Sequence, residues 1–423
     1  MFLFYLLLLD LRVYGVVSQK VDPRGFASRN FRLLFVIVFF TTFASVMVSS
    51  SAVIFLVKSL AVTPSATAAS IGVLVSVSSV AMILGNFAGG FLADRVGRKR
   101  TIGLACLVLA PSLFVYVVVS SVFFVMAVYF VHMFAVSLFQ PAFMAFVADL
   151  SRLSSRGKAF GHFNLFWIGS TVPAPLVGGF LVDSVGLRFP FMVASLVAVV
   201  GLVASLRLVG VSGGVSSGDK VSDDESAGKG FMSFRSVLLL FGSIGVLSGL
   251  ANGLLGPLTR DFPIYRLNAD ATTLGLVVSL GSGLATVLVQ IPGGRLTDRF
   301  GRKPLMLFSL LGTPFVVGLA FTVSIAEFIV VSAGVFAFGN VAAPAYQAWL
   351  MELVGEERRA KVMGFVNALT GVGTFFGPFI STWLWETQSW VAVPFIVAEL
   401  PWLLQIPPIL KLRETKTREK HAS

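Results

Sequence analysis

Only 12% of this chain's 423 residues are charged, yet five charges fall within seven positions at Asp94, Arg95, Arg98, Lys99 and Arg100. A carboxylate beside guanidinium groups supports ion pairing and charge-assisted hydrogen bonding, which can latch two elements together. It is not a covalent catalytic set. The chain has three His and one Cys, with no HExxH or CxxC spacing. It also has no GxxxxGK[ST] phosphate loop and no strand-to-helix nucleophile elbow. A lone Cys106 excludes an internal disulfide and a multi-cysteine metal centre, and it reads as a small buried apolar residue. Neither a metal, nor a cofactor, nor an enzymatic activity is expected.

The charged stretch occurs twice. "GGFLADRVGRKR" at 89–100 and "GGRLTDRFGRKP" at 293–304 agree at eight of twelve positions. Gly89, Gly90, Leu92, Asp94, Arg95, Gly97, Arg98 and Lys99 each recur 204 positions later. Farther on the offset is 203, pairing Pro141 with Pro344, Asp149 with Glu352, Arg156 with Arg359, Gly161 with Gly364 and Asp183 with Glu386. Matches among charged and Gly residues in register are not a coincidence of greasy segments. The chain is an internal duplication.

The elements that carry these loops follow from composition. The chain is 56% hydrophobic with a mean hydropathy of +0.90, and about 25% charge is usual for a soluble domain. Such a chain belongs in a membrane. Twelve apolar windows fall at 33–57, 69–93, 101–119, 122–147, 160–182, 189–209, 234–258, 273–296, 304–324, 326–350, 362–384 and 390–411. Each is long enough to cross a hydrocarbon core of about 30 Å. Backbone satisfaction in lipid makes them helices, since the alternation of barrel strands is absent. The expected fold class is therefore an all-α membrane protein of twelve spans in two six-helix bundles.

The expected units are an N-terminal segment 1–30, a bundle 31–209, a linker 210–232, a bundle 233–412 and a tail 413–423. The linker is rich in Gly, Ser and charge. Within residues 1–17, Asp10 interrupts a short apolar run that lacks a basic n-region and a cleavage site, so it is not counted as a span. With twelve spans, 28 of the 32 Lys and Arg lie on the side holding both termini. The positive-inside rule makes that side cytoplasmic. The net charge of +12 is then topology and lipid-headgroup contact, not a nucleic-acid face.

Two parallel six-helix halves are a transporter design, with the substrate path at their interface. At Gly90, Asp94, Arg95, Gly97, Arg98 and Lys99 the first loop resembles the helix 2–3 signature of the major facilitator superfamily, G-x-x-x-D-R-x-G-R-R/K. Its copy carries Gly294, Asp298, Arg299, Gly301 and Arg302. The resemblance implies two bundles rocking about a central cavity, with Asp94 and Asp298 latching the cytoplasmic side when the cavity opens outward. Gly90 and Gly97 are expected to allow a close helix approach and a tight turn. "GSTVPAPLVGG" at 169–179 resembles the G-P-x-x-G-G stretch of proton-coupled exporters of that family. It matches at Pro175, Gly178 and Gly179, with Ala174 in place of a Gly, and "GVGTFFGPF" echoes it at Gly377 and Pro378. Small residues and a Pro there point to tight packing at the domain interface.

The resemblance breaks at two points. Twelve residues before Pro141, where exporters carry an Arg in helix 4, stands Tyr129, and helix 1 has no acidic residue. Deep titratable groups are His132 and Glu399. Helices 1, 4, 7 and 10 line the cavity in this family, so His132 reads as a substrate or proton group, or else as a neutral histidine bonded to a neighbouring helix. Glu399 must be paired or protonated. Asn252, Asn340 and Gln347 are further cavity candidates, with Thr41, Thr42, Ser45 and Ser49 as weaker ones.

The expectation is a monomeric secondary transporter, an ion-coupled (proton) exporter of small apolar or amphipathic compounds in the cell membrane. Its partners are that substrate, protons and membrane lipids. The rivals are a metabolite importer of the same superfamily, for a sugar or organic acid, and a transporter-like receptor that moves nothing.

Overall fold

A computed structural model describes residues 29–55, 64–150, 163, 166–209, 234–353 and 359–414. The readings of residues 1–17, of the linker and of most of the tail lie outside these, as does the side chain of Asp298. Every described element is helical.

Among the described residues there are twelve helical passages. In the first half they are α1 Arg29–Phe55, α2 Pro64–Arg95, α3 Arg98–Val115, α4 Val122–Leu150, α5 with Pro173–Ser184, and α6 Phe189–Leu206. The second half opens with α7 Phe234–Arg266. Next, α8 joins Ala271–Leu276, a π-helical stretch Val277–Leu284 and Ala285–Phe300. Arg302–Ser309 and Thr313–Leu319 make up α9, while Ile325–Val341 and Ala343–Glu352 make up α10. The last two are α11 Arg359–Thr387 and α12, which joins Ala392–Leu403 and Ile406–Lys411.

Nine of these passages are long and apolar enough to cross a membrane by composition alone. The other three are α3, α9 and α11. Basic clusters open α3 and α9, and α9 is broken by a 3₁₀ turn. Gly and Thr dilute α11, which packs on α7 and α2.

The duplication is visible in the packing. Within the first half α2 packs on α4, α1 on α5 and α6, and α3 on α4 and α6. Six helices later the same pairs recur: α8 on α10, α7 on α11 and α12, and α9 on α10 and α12. Close approach inside each half depends on one repeated glycine. A Cβ at Gly89 would overlap the Leu138 carbonyl of α4, and one at Gly293 would overlap the Val341 carbonyl of α10. Around Gly90 and Gly294 a Cβ would meet nothing within 4 Å. The close approach expected of Gly90 is therefore made one residue earlier, because Gly90 faces away from α4.

Apolar side chains point both ways, as lipid requires. Leu34, Met47, Phe143, Phe241 and Phe395 fill the cores, while Phe123, Leu196, Leu239 and Val330 are exposed on the outside. One boundary differs from the sequence reading. The window for α7 stops at 258, where hydropathy falls, but the helix continues through Pro257 and Pro263 to Arg266 and buries Asp261.

Candidate substrate path and gates

The two halves meet through α2 with α11 and through α5 with α8, pairs that the duplication interconverts. At the first, a Cβ on Gly72 would press on the Pro378 carbonyl and overlap the Thr382 hydroxyl. At the second, a Cβ on Gly275 would press on the Pro175 carbonyl. Gly275 lies 203 positions after Gly72, as Pro378 does after Pro175. One contact is thus made twice. It permits backbone-to-backbone packing, the means by which helices associate tightly in lipid. Gly179 also presses on α8, at the Ala271 carbonyl. Gly178 and Gly377 serve their own halves, against Met47 and Ser51 of α1 and against Gly253 of α7.

These contacts lie toward one membrane face, opposite the signature loops; we refer to it as the far side, and to the other as the basic side. Polar and apolar groups complete the far-side seal. The Asp183 carboxylate at the end of α5 accepts from the Thr272 amide at 2.7 Å and its hydroxyl at 2.8 Å. Asp270 caps α8 by accepting from the Thr273 amide at 2.7 Å. Ser76 of α2 donates to the Phe375 carbonyl of α11 at 2.9 Å. Ile54, Val182, Ala271 and Leu274 form a buried cluster between the halves, with Ile264 of α7 against it. Asp183 entered the sequence reading only as a repeat partner of Glu386. Nothing in a lone sequence shows that its partner is an amide 89 residues on.

On the basic side, apolar side chains of α2 and α11 are exposed. Phe87 and Phe91 of α2 are 79% and 48% exposed, and Phe365 of α11 is 43% exposed. Asp94 is exposed there. The repeated turn is built alike in both copies, with φ of 99° at Gly97 and 98° at Gly301, a conformation that only glycine adopts without strain. Arg95 stacks on the Phe91 ring at 4.3 Å, and its copy Arg299 on Phe300 at 5.3 Å. Arg98 is fixed within its own half. It donates to the Ala145 carbonyl at 2.9 Å and forms an ion pair with Asp149 at the end of α4. Lys99 is partly buried.

A further carboxylate engages the second copy. Glu414 accepts from the amides of Arg302 at 3.1 Å and Lys303 at 2.8 Å, at the start of α9. A carboxylate there neutralises unpaired N–H groups and the positive end of the helix.

The first half encloses a cavity of about 220 Å³ at mid-depth, bounded by α1, α3, α4 and the start of α5. Val46, Leu109, Val136, Phe139 and Trp167 are among its apolar lining. Thr41, Thr42, Ser45, Ser49 and Gln140 supply its polar groups. Ser and Thr are common in membrane helices, so the sequence ranks these four hydroxyls low, yet they gather on one wall.

The other candidates are dispersed. His132 is fully buried behind that wall; its Nε2 pairs with the Ser45 hydroxyl at 2.8 Å, between the edges of Tyr116 and Tyr129. Tyr129, the position where an Arg was expected, is itself buried beside it. Asn252 is exposed on α7 and Gln347 on α10. The Asn252 amide donates to the Ser248 carbonyl, and the Asn340 amide to the Phe336 carbonyl, each at 2.8 Å. Glu399 is buried on α12 against α9, beside the Thr313 side chain.

The chain matches the profile of the Major Facilitator Superfamily over residues 34–250 and 237–422. It is similar to multidrug resistance protein 1 of Bacillus subtilis (strain 168), at 23% identity over 335 residues, covering 78% of this chain and 83% of that protein. The quinolone resistance protein NorA of Staphylococcus aureus (strain MRSA252) is 23% identical over 76% of this chain and 82% of its own. The class H tetracycline resistance protein of Pasteurella multocida is 30% identical over 44% and 46%. In fold it resembles the nucleoside transporter NupG, at a TM-score of 0.68 and 14% identity over 91% of this chain and 100% of that one. A D-xylose–proton symporter superposes at 0.67 with 16% identity over 90% and 95%. Duplicated signature loops, twelve passages in two like halves and a profile match across both agree, and this chain belongs to the major facilitator superfamily of multi-pass membrane transporters.

Proposed function

We propose that the protein exports small apolar or amphipathic compounds from the cytoplasm in exchange for protons, by alternating access across the cell membrane. The observation that carries this reading is the first-half cavity, whose walls are apolar with a rim of hydroxyls and one amide. Such a lining holds a molecule by contact area and a few adaptable hydrogen bonds. A sugar or organic acid would need a denser set of polar or cationic groups. The similarity to drug-resistance proteins over about three quarters of the chain supports export.

In this reading the basic side is cytoplasmic, with both termini, and the described conformation is open to the cytoplasm and sealed outside. Asp94 and Asp298 close the cytoplasmic side in the opposite conformation, aided by Arg95, Arg98 and Lys99 and their copies Arg299 and Arg302. Pro175, Gly179 and Pro378 hold the outer seal, and Asn252, Asn340 and Gln347 face the path between the halves. His132 holds the Ser45 hydroxyl in place from behind the cavity wall, and a single copy of the chain is sufficient for transport.

The test is flux in proteoliposomes containing a lipophilic fluorescent dye, with an imposed pH gradient. Gradient-driven dye movement is expected. Binding of the dye without any movement would instead indicate a receptor.

A further inference from the structure

We propose that Asp261 is a proton-binding site on the far side, and that its protonation is the condition under which the far side seals. The proposal rests on the alternating-access reading above.

Asp261 lies five residues before the end of α7, is 1% exposed, and neither carboxylate oxygen has a hydrogen-bond partner among the described residues. At 100° per residue it stands between two working faces of the helix. Leu258 and Phe262 pack into the second half, where Phe262 meets the rings of Phe328 and Phe395. Ile264 packs against the inter-half cluster of Ile54, Val182, Ala271 and Leu274. Asp261 is therefore buried at the edge of the outer plug. Separating the halves on the far side withdraws the first-half residues from the neighbourhood of Ile264 and admits water beside Asp261.

The charges nearby do not compensate it. On its own helix, the adjacent Arg260 attracts it through space but does not face it, since successive helical residues point apart. Arg266 is exposed beyond the next turn. On the helices packed around α7, Glu386 and Glu327 are exposed, and Glu327 accepts from the Val323 amide. Asp270 caps α8, and Glu399 is another acid. Asp183, across the seal, is engaged with Thr272. A carboxylate without donors or a facing cation persists in such a place only as the neutral acid. Sealing therefore binds one proton at the Asp261 carboxylate, and opening returns it to water.

One turn on from Asp261, Tyr265 lines a cavity of about 290 Å³ with Arg266, Trp385 and Gln388 at the far-side ends of α7 and α11, so far-side space lies within one helical turn of the carboxylate.

If the sealed state holds one more proton than the open state, raising pH lowers the ratio of sealed to open by up to about tenfold per unit. The sign is fixed, since acid favours the seal. The experiment places spin labels at Ser121→Cys and Thr387→Cys, exposed far-side positions in opposite halves, in a Cys106→Ser background, and measures their distance in nanodiscs against pH without substrate. The full-length protein otherwise unchanged is expected to shift from short to long distances as pH rises. Asp261→Asn, a permanent neutral isostere, is expected to keep the short distance at every pH. A distance that does not respond to pH, or an Asp261→Asn protein with the unaltered titration, overturns the proposal. Should Asp261→Asn fail to fold, Asp261→Glu serves, since a displaced midpoint supports the assignment and an unmoved one overturns it. Failure of the export reading is seen separately, as absent gradient-driven dye flux with the distance titration intact.

Discussion

The carboxylate of Asp183 on α5 holds Thr272 at the start of α8 by two hydrogen bonds, 2.7 Å from the amide and 2.8 Å from the hydroxyl. Donor and acceptor belong to opposite halves, so any motion that parts them on the far side breaks both bonds together. Asp183→Ala removes the acceptor from an exposed site. A loss of about 1 kcal/mol from the sealed state corresponds to about a fivefold shift toward the open one. Distances between far-side labels will show it, and an unchanged distribution counts against a latch.

Gly275 offers a sharper perturbation. Its α-carbon lies against the Pro175 carbonyl with no room for a side chain. Gly275→Val is expected to hold the far side open and reduce flux more than tenfold, while α8 continues to pack on α10. Overpacking of this kind costs about 1–3 kcal/mol. A thermal unfolding midpoint near that of the parent protein, with flux lost, is the expected pair of results.

Asp94 is exposed in the described conformation, so Asp94→Asn should leave this state as stable as before. Its effect belongs to the opposite conformation. Dye flux is expected to fall at least tenfold at normal surface expression, with the far-side-sealed state more populated. Full flux removes Asp94 from the gate.

The cavity in the first half can be filled without disturbing a packed core. Val136 contributes to its wall and is only partly buried. Val136→Trp is expected to weaken dye binding more than tenfold, measured by fluorescence titration, with little change in unfolding temperature.

His132 separates structure from transport. Its Nδ1 has no partner among the described residues and its Nε2 has Ser45. Ser45→Ala leaves the ring wholly unsatisfied, at about 1–3 kcal/mol, and Ser45→Thr restores the bond. For His132→Ala, flux is expected to keep its dependence on the pH gradient. Loss of that dependence would make His132 a proton relay.

Much of this arrangement is legible before any coordinates. The twelve passages, their pairing into halves and the positions of the turns at Gly97 and Gly301 follow from hydropathy and from charges repeated in register. Hydropathy fails where a helix carries function through its end. The window for α7 closes at 258, just short of Arg260 and Asp261, two charges that read as a loop, yet the structure continues the helix and buries the acid between the core residues Leu258 and Phe262. Partners distant in sequence are equally hidden. Asp149 is visible as a repeated acid but not as the ion-pair partner of Arg98. Gly89 and Gly90 are indistinguishable in a string of letters, and only the position of α4 decides which one is crowded.

The π-helical stretch of α8 records how the two halves diverged. Gly72 and Ser76 correspond to Gly275 and Ser279 at a spacing of 203, whereas Gly89 and Asp94 correspond to Gly293 and Asp298 at 204. α8 thus holds one residue more than α2 between Gly275 and Gly293, and the wide-wound segment Val277–Leu284 lies between those two glycines. An α-helix that gained a residue without widening would turn everything beyond it by about 100°. Here the wider turn absorbs the extra residue, a bulge of the sort that recurs at functional sites. Gly275 still meets Pro175, Gly293 still meets Val341, and the extra residue is held in the middle of the membrane at the one place where, among the described residues, the duplicated helices α2 and α8 differ in pitch.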